Sequence, residues 1–255
     1  MIVPLDEIAS DKYGLILCYP RYNPDEAGRR IIEIRELGVV AICFGGDKIV
    51  AGLPVLGKGC VGIVVQALLN DGRRVALKIR RVDSEPERIV HEARMLQMAN
   101  SVDVGPMLLG YTSNFLIMEY IEGLLFPRWV EMLGDGESVS MRLRVVLRDI
   151  LEQCWRLDSI GLDHGELSWA DKHIIIDGRD GAHILDFETA SDKRRVANVT
   201  SVSQYLFIKS GVAKIIGERI GCLDKGVLLE SLRAYKIERS RKNFETILDV
   251  LGLMG

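Results

Sequence analysis

The middle of the chain is built from short apolar runs with the length and composition of β-strands. These runs lie between residues 51 and 121, and they are LPVLGKG, GIVVQALL, RRVALKIRRV, MLLGYT and NFLIMEYI. A stretch around 85–99 and a longer one from about 138 to 160 instead carry apolar residues at helical spacing. Short strands are predicted around 173–177 and 182–186, and helices over the last 45 residues. Strands followed by helices predict an α+β protein with two lobes and a cleft between them.

The N-terminal 50 residues predict a helix followed by a hairpin. In NPDEAGRRIIEIRELG, Asn23 is placed to cap the helix and Gly38 to end it. VVAICF then predicts a strand, Gly45-Gly46-Asp47 a turn, and KIVAG the returning strand. Such an extension is either an extra layer packed on the next domain, which we favour, or a winged-helix remnant that contacts nucleic acid. The expected organisation is an extension over 1–50, a strand-rich lobe over 51–123 and a helical lobe over 124–255.

Composition narrows the class of protein without identifying it. The chain has 255 residues, 48% of them hydrophobic, and its net charge of −3 gives no general attraction for nucleic acid or anionic membranes. No apolar run approaches about 18 residues, and the first ten residues contain no basic side chain. We therefore expect neither a membrane span nor a signal peptide. The five cysteines form no CxxC pair and indicate a reduced, cytoplasmic protein; they are Cys18, Cys43, Cys60, Cys154 and Cys222.

A glycine-rich segment, GKGCVGIV at 57–64, lies between two predicted strands. Gly57, Gly59 and Gly62 would let backbone amides approach a phosphate group closely, because no Cβ stands in the way. Before a helix, this spacing would indicate a dinucleotide-binding fold. Between two strands, it is typical of the flap that covers phosphates in protein kinases. An ordinary glycine hairpin is the alternative interpretation.

A lysine stands inside the next apolar strand, where a lone charged side chain requires a reason. In the sequence VALK, Lys78 follows the small residue Ala76, which leaves room for a flat base to stack. In the helical stretch that follows, Glu92 shares a face with Ile89 and Met95. Glu92 is therefore the expected partner of the lysine, and a phosphate group would be the second reason for the buried charge.

Two later segments complete an ordered series of motifs. LIMEYIEG at 116–123 is an apolar strand whose end can present backbone groups to the edge of a base. LDHGELSWADKH at 162–173 and HILDFE at 183–188 carry closely spaced acids. Among these acids, Asp171 and Asp186 are candidates for metal binding, and Glu166 is a candidate for proton transfer.

In this order, the motifs resemble the protein-kinase-like superfamily over roughly residues 52–205. The histidine–glycine–acid form and the short chain are similar to the small atypical kinases: the RIO family, the kinase of the KEOPS tRNA-modification complex and the predicted archaeal serine/threonine kinases. The resemblance implies a β-rich N-lobe, a minimal helical C-lobe, and ATP bound with Mg²⁺ or Mn²⁺. It also implies a nucleotide-binding set of Gly57, Gly59, Gly62, Val64, Ala76, Lys78, Glu92, Met118, Glu119 and Ile121, with Asp171 and Asp186 as metal ligands and Lys78 and Glu166 as catalytic residues.

Three residues depart from the usual kinase pattern. Glu166 replaces the aspartate base, Asp171 replaces a metal-binding asparagine, and Glu188 replaces a glycine. Every replacement keeps or adds a carboxylate, so we expect a slow or reshaped enzyme rather than an inactive one. His164 is expected to bond the backbone around Asp186. The other histidines lack the spacing of a zinc site and are interpreted as structural or surface residues; they are His91, His173 and His183.

The sequence predicts an ATP- and metal-dependent phosphotransferase, an atypical serine/threonine protein kinase that acts on a protein substrate or on itself. The alternatives are an ATPase in RNA–protein assembly, a small-molecule kinase, and a nucleotide-binding pseudokinase that regulates a partner. Basic clusters at 192–195 and 233–242 are candidates for contact with an acidic substrate and with RNA, respectively. The alternative for both clusters is solvated surface. No membrane partner is expected.

Overall fold

The computed structural model of the chain describes residues 1–10, 12–134, 136–221 and 224–254. The chain divides into two units, one formed by Met1–Gln97 and Pro106–Tyr120 and the other by Met98–Gly105 and Ile121–Gly255. Both units contain helices and antiparallel strands, so the predicted α+β class is confirmed. Cys222, one of the five cysteines, lies outside the described residues.

The first unit contains an antiparallel sheet in the order β1-β2-β6-β7-β9-β8, with β5 paired to β6 and a separate β3–β4 hairpin. Its strands are β1 Ile2–Pro4, β2 Val39–Cys43, β3 Lys48–Val50, β4 Leu53–Val55, β5 Gly57–Lys58, β6 Gly62–Leu69, β7 Arg74–Arg80, β8 Leu108–Tyr111 and β9 Phe115–Glu119. Its helices are α1 Leu5–Ile8, α2 Leu15–Cys18, α3 Pro24–Glu36 and the greater part of α4 Glu87–Asn100. β7 lies between β6 and β9, which places its side chains in the apolar interior.

The predicted hairpin within residues 1–50 is wrong in its strand pairing. Both strands form, but β2 pairs with β1 on one side and with β6 on the other. β3 pairs with β4 instead, so that Ile49 lies opposite Pro54. Gly46 sits against Val55, where a Cβ would come within 2.3 Å of the carbonyl oxygen. The turn therefore redirects the chain toward β4 and does not return it along β2.

Helix α3 begins and ends where its sequence predicts. The Asn23 side chain accepts a hydrogen bond of 3.0 Å from the backbone N–H of Glu26, and Gly38 adopts a φ of +81° just after the last turn. Arg30 on this helix is fully buried, and its guanidinium donates to the carbonyl oxygens of Leu17 and Arg80. Because Arg80 ends β7, the arginine ties α3 to the central strand of the sheet.

The second unit combines a small sheet with most of the helices. Its strands, in the order β10-β11-β12, are β10 Gly123–Leu125, β11 Ile174–Asp177 and β12 Ala182–Ile184. Its helices are α5 Phe126–Met132, α6 Glu137–Ser159, α7 Asn198–Gln204, α8 Gly211–Ile220, α9 Lys225–Ile237 and α10 Arg241–Val250. Short 3₁₀ turns cover Leu167–Lys172 and Phe187–Thr189, and a π-helical turn covers Tyr205–Lys209.

Helix α6 supplies much of the core of the second unit and holds β12 in place. The residues of its apolar face are buried: Leu143, Val146, Leu147, Ile150, Leu151, Cys154 and Leu157. Gln153 donates a 2.7 Å hydrogen bond to the carbonyl oxygen of Ala182, and Asp149 accepts one of 3.0 Å from its N–H. These two bonds satisfy the backbone at the start of β12 and fix the strand that leads to Asp186.

Two further observations concern the helices and the cysteines. None of the helices within the described ranges is both long enough and apolar enough to cross a membrane. Of the cysteines that the structure describes, Cys18, Cys43, Cys60 and Cys154 are free thiols, and Cys60 alone of these is exposed.

Candidate functional site

The glycine-rich segment forms a tight turn between β5 and β6, as its sequence predicts. Gly57 pairs with Val64, and the N–H of Gly59 donates a 2.8 Å hydrogen bond to the carbonyl oxygen of Gly62. A Cβ on Gly62 would come within 2.8 Å of the carbonyl oxygen of Ile79, so the close approach of β6 and β7 requires glycine there. At least one of the three glycines is therefore needed for sheet packing, independently of any ligand.

Lys78 and Glu92 form a buried ion pair in the first unit. Lys78 Nζ lies 2.6 Å from Glu92 Oε2, and the two side chains are only 5% and 3% exposed. β7 places the lysine between Val64 and Leu116 on the neighbouring strands, and α4 supplies the glutamate. Burying two charges costs several kcal/mol of solvation even when they are paired. A buried ion pair is therefore weak evidence of a contribution to stability. A functional role would better explain why the two charges are buried.

The residues expected around the base lie close to Lys78 in the same sheet. Ala76 pairs with Met118 across β7 and β9, and Val64 pairs with Lys78 across β6 and β7. The backbone N–H of Glu119 donates a 2.9 Å hydrogen bond to the carbonyl oxygen of Met107, so this donor is already used within the fold. Ile121, the last member of the predicted set, is the first residue of the second unit after Tyr120.

In the second unit, His164 anchors the loop that carries Glu166. Its ring is fully buried, and Nε2 lies 2.9 Å from the carbonyl oxygen of Leu185, directly before Asp186. The backbone N–H of His164 donates to Asn198 Oδ1 at 2.8 Å. Gly165 then adopts a φ of +93°, which favours glycine. The predicted structural role of His164 is confirmed.

Burial lowers the pKa of His164 from its ordinary value of 6.5 to about 4. The folded state therefore favours the neutral ring, and the stabilising contribution is complete above pH 6.5 and is lost as the pH falls toward about 4. The shift corresponds to an upper limit of about 3 kcal/mol. Urea unfolding at about pH 7 and about pH 4.5 should show a smaller pH-dependent loss of stability in His164→Gln than in the wild type.

His91→Gln is the matched control for this experiment because it replaces another histidine, one that is exposed on α4. It should keep the pH-dependent loss of the wild type. Equal pH dependence in the wild type and in His164→Gln would contradict the assignment.

The acid that precedes His164 has a structural role. Asp163 Oδ2 accepts a 2.5 Å hydrogen bond from Arg194 Nε, and Asp163 Oδ1 accepts one of 2.9 Å from the N–H of Ala197. Arg195 donates to the carbonyl oxygen of Lys236. Two arginines of the 192–195 cluster are therefore used to hold the segment before α7, which leaves less of the cluster for a substrate.

The second basic cluster, at 233–242, is also partly used by the fold. Arg241 forms a bidentate ion pair with Glu152, at 2.6 and 2.8 Å, and its guanidinium stacks over the Trp155 ring. Arg239 donates to the carbonyl oxygen of Val196. The helix junction is thus joined to α6 and to the loop before α7.

Glu166 and Asp186 meet at the ring of His173. Glu166 Oε2 lies 3.2 Å from His173 Nε2, and Asp186 Oδ2 lies 3.8 Å from His173 Nδ1. One ligand atom from each of the three residues falls within 4.8 Å of the other two. The arrangement follows from the β11–β12 pairing, because the N–H of Leu185 donates to the carbonyl oxygen of His173 and Asp186 then turns at a φ of +68°.

His173 was interpreted from the sequence as an ordinary structural or surface histidine, but the structure buries it between the candidate catalytic residue Glu166 and the candidate metal ligand Asp186. Its side chain is 1% exposed. Among the described residues, neither ring nitrogen has a partner in hydrogen-bond geometry. Burial lowers the pKa of the ring, so it is neutral near pH 7. The sequence carried one clue to the position of His173, namely the register of two predicted strands. When the strands at 173–177 and 182–186 are extended as a hairpin, position 173 lies opposite position 185.

Asp171, the predicted second metal ligand, is held by a different partner. The Tyr205 hydroxyl donates a 3.0 Å hydrogen bond to Asp171 Oδ1. Burial, together with the Asp171 charge, raises the pKa of Tyr205, so the phenol remains a neutral donor. Within the part of the second unit that the structure describes, the three-residue group of potential ligands contains Glu166, His173 and Asp186 and does not include Asp171. The role of Asp171 as a metal ligand stays a prediction.

Fold and site together define an α+β protein with a buried lysine–glutamate pair in one unit and a histidine–carboxylate group in the other. No protein-family model matches the chain. The uncharacterized protein MJ1211 of Methanocaldococcus jannaschii is 31% identical over 121 residues, which cover 47% of this chain and 98% of the relative. The chain therefore belongs to the same family as this archaeal protein, whose description assigns no activity.

Proposed function

We propose that the protein is an ATP- and metal-dependent phosphotransferase, an atypical serine/threonine protein kinase of the protein-kinase-like superfamily. The observation that carries the proposal is the buried pair of Lys78 Nζ and Glu92 Oε2 at 2.6 Å. A lysine inside a central strand, fixed by a helix carboxylate and preceded by a glycine turn, is the arrangement that orients phosphates in kinases. The buried His164 that bonds the backbone before Asp186 is a second, independent support.

The protein's own residues divide the work of phosphoryl transfer. Lys78 would bind the α- and β-phosphates, and Glu92 would hold the lysine in position. Asp171 and Asp186 would hold the metal ion, since carboxylate oxygens are the donors that Mg²⁺ and Mn²⁺ prefer. The ion would supply neutralisation of the phosphate charge. Gly57, Gly59 and Gly62 would bring backbone amides to the phosphates, although the Gly62 position is also required by packing.

Glu166 would position the acceptor hydroxyl and accept its proton. Compared with aspartate, its additional methylene displaces the carboxylate by roughly 1 Å, and such a displacement can cost on the order of 100-fold in rate. In this protein the longer side chain reaches the neighbourhood of His173, 3.2 Å from Nε2. Because glutamate retains the carboxylate, the substitution is compatible with a slow but active enzyme.

The proposal is tested by following γ-labelled ATP with the purified protein and Mg²⁺, and then with Mn²⁺. We expect label on the protein, on a serine or threonine, that depends on time and on metal. Asp186→Ala should abolish this label, because it removes a metal ligand. The matched control is Asp249→Ala, which removes an exposed carboxylate from α10 and should leave labelling unchanged.

Other outcomes would replace the proposal with one of its alternatives. Release of free phosphate without label on the protein or on candidate acceptors, abolished by Asp186→Ala, would favour an ATPase. Binding of nucleotide with metal and no turnover would favour a pseudokinase. Equal labelling of the wild type and Asp186→Ala would contradict the assignment of the metal site.

A further inference from the structure

His173, Glu166 and Asp186 form a group whose chemistry differs from that of an all-oxygen magnesium site. The His173 side chain is 1% exposed, whereas the two carboxylates are each 36% exposed. A buried imidazole without hydrogen-bond partners requires an explanation, since nearly all buried polar groups are satisfied. Within the described ranges, both nitrogens of this ring lack such a partner, and each faces a carboxylate oxygen.

We propose that Glu166, His173 and Asp186 bind a divalent transition-metal ion of the Zn²⁺ and Co²⁺ class. This site is additional to the oxygen-donor metal site of the proposed kinase reaction, although the two share Asp186. Binding of the ion does not require ATP or a functional phosphotransferase.

Two of the three ligands, His173 and Glu166, already have the spacing of ligands on one ion. Ligands bound to one Zn²⁺ ion at about 2.0–2.2 Å lie roughly 3.3 Å from one another in a tetrahedral arrangement. His173 Nε2 and Glu166 Oε2 are 3.2 Å apart. Asp186 Oδ2 lies nearest the other ring nitrogen, Nδ1, at 3.8 Å, so the partly exposed Asp186 side chain must move toward the Nε2 side of the ring to complete the set. Water would fill the fourth position on the exposed side.

The donor set selects the class of metal. Imidazole nitrogen is a good ligand for Zn²⁺, Co²⁺ and Ni²⁺, whereas Mg²⁺ prefers oxygen donors and keeps several waters. A ring that is buried and held by the backbone cannot turn away to offer only the carboxylates. The backbone of His173 is fixed on both sides, because its N–H donates to Ala170 and its carbonyl oxygen accepts from Leu185.

Occupation of this site would have a consequence for the proposed reaction, and this consequence rests on the proposed function. A Zn²⁺ ion would engage Glu166, which would then be unable to accept the proton of an acceptor hydroxyl. It would also engage Asp186 and withdraw it from Mg²⁺. Zn²⁺ would therefore inhibit phosphoryl transfer in competition with Mg²⁺.

The decisive experiment is titration of the full-length, nucleotide-free protein with Co²⁺, followed by visible absorption. We expect one Co²⁺ per chain, with the intense bands of a four- or five-coordinate ion that has an imidazole ligand, and displacement by Zn²⁺ at far lower concentrations than by Mg²⁺. His173→Gln should weaken Co²⁺ binding at least about 100-fold and remove the bands. Glu166→Gln should weaken it as well, and its partly exposed position makes misfolding of that variant a minor concern.

The control variant is His183→Gln. His183 and Asp177 form a histidine–carboxylate pair at 2.9 Å in the same unit, but the group of potential ligands described there does not include them. This variant should keep full Co²⁺ binding. Absence of the bands in the wild type, or equal binding in the wild type, His173→Gln and Glu166→Gln, would overturn the proposal.

The Co²⁺ titration and the γ-labelled ATP experiment fail independently. Co²⁺ binding without phosphoryl transfer would leave the transition-metal site intact and remove the kinase reaction. Phosphoryl transfer without Co²⁺ binding would support the kinase reaction and rule out the transition-metal site. If both hold, Zn²⁺ should inhibit labelling at lower concentrations in the wild type than in His173→Gln.

Discussion

Replacing Glu92 with alanine is expected to lower the free energy of unfolding by about 3 to 5 kcal/mol. The change leaves the Lys78 ammonium group in a 5% exposed position without the carboxylate that lies 2.6 Å away in the wild type. The desolvation cost of the lysine then remains, while the attraction that offset it is lost. Denaturant unfolding at neutral pH, monitored by circular dichroism, measures the difference.

A double variant separates the contribution of the Lys78–Glu92 pair to protein stability from its role in phosphoryl transfer. The double variant Lys78→Met/Glu92→Leu should recover most of the lost stability, because an apolar pair of similar volume carries no desolvation cost. It should nevertheless show no transfer of label from ATP, since the phosphate-binding charge is gone. A stable double variant that still transfers the γ-phosphoryl group would contradict the role assigned to Lys78.

The control for these variants is Glu87→Ala, which removes an exposed glutamate from the first turn of α4, the helix that carries Glu92. Its effect should be within about 0.5 kcal/mol. A loss below about 1 kcal/mol for Glu92→Ala would mean that Lys78 finds water or another acceptor once the carboxylate is removed.

Asp158→Ala is expected to destabilise the second unit by on the order of 4 kcal/mol, the sum of several buried donors left without an acceptor. Asp158 Oδ1 accepts hydrogen bonds of 3.0 Å from the Asn198 N–H and 2.8 Å from its side-chain amide. Asp158 Oδ2 accepts one of 3.0 Å from the Tyr235 hydroxyl. The same Asn198 holds the backbone of His164, so the loop that carries Glu166 should lose its position as well.

Comparison of Asp158→Ala with the milder variant Tyr235→Phe tests the hydrogen bonds of Asp158. Tyr235→Phe removes one donor and leaves the acceptor with its remaining partners, so it should cost only about 1 kcal/mol. Thermal and denaturant unfolding give the stability order wild type, Tyr235→Phe, Asp158→Ala. Limited proteolysis should cut near residues 163–172 in Asp158→Ala earlier than in Tyr235→Phe. An Asp158→Ala protein as stable as Tyr235→Phe would show that the buried donors are satisfied by water.

Much of the local structure could be predicted because it depends on neighbours in the sequence. The spacing of apolar residues predicted α3, α6, β6 and β7, and a cap and a glycine marked the ends of α3. Pairing of Lys78 with Glu92 could be predicted for a related reason, since a lysine in a buried strand needs an acid and the next helix presented one on its apolar face.

Contacts set by long-range pairing could not be predicted in the same way. β2 pairs with β6, which follows it only after three intervening strands, and no local pattern distinguishes that choice from a hairpin with β3. The burial of Arg30 depends on carbonyl groups of α2 and β7 that converge on it. The Tyr205 hydrogen bond to Asp171 joins residues that are far apart in the chain.

The sequence by itself determined the α+β class, elements such as α3, α6, β6 and β7, and the pairing of Lys78 with Glu92, because propensity, periodicity and the need to neutralise a buried charge act through nearby residues. Only the tertiary structure decided that His173 lies between Glu166 and Asp186 and that Asp171 bonds Tyr205. Strand register and helix packing determine these contacts. They bring together residues that are not neighbours in the sequence, and no local sequence pattern indicates which of them will meet.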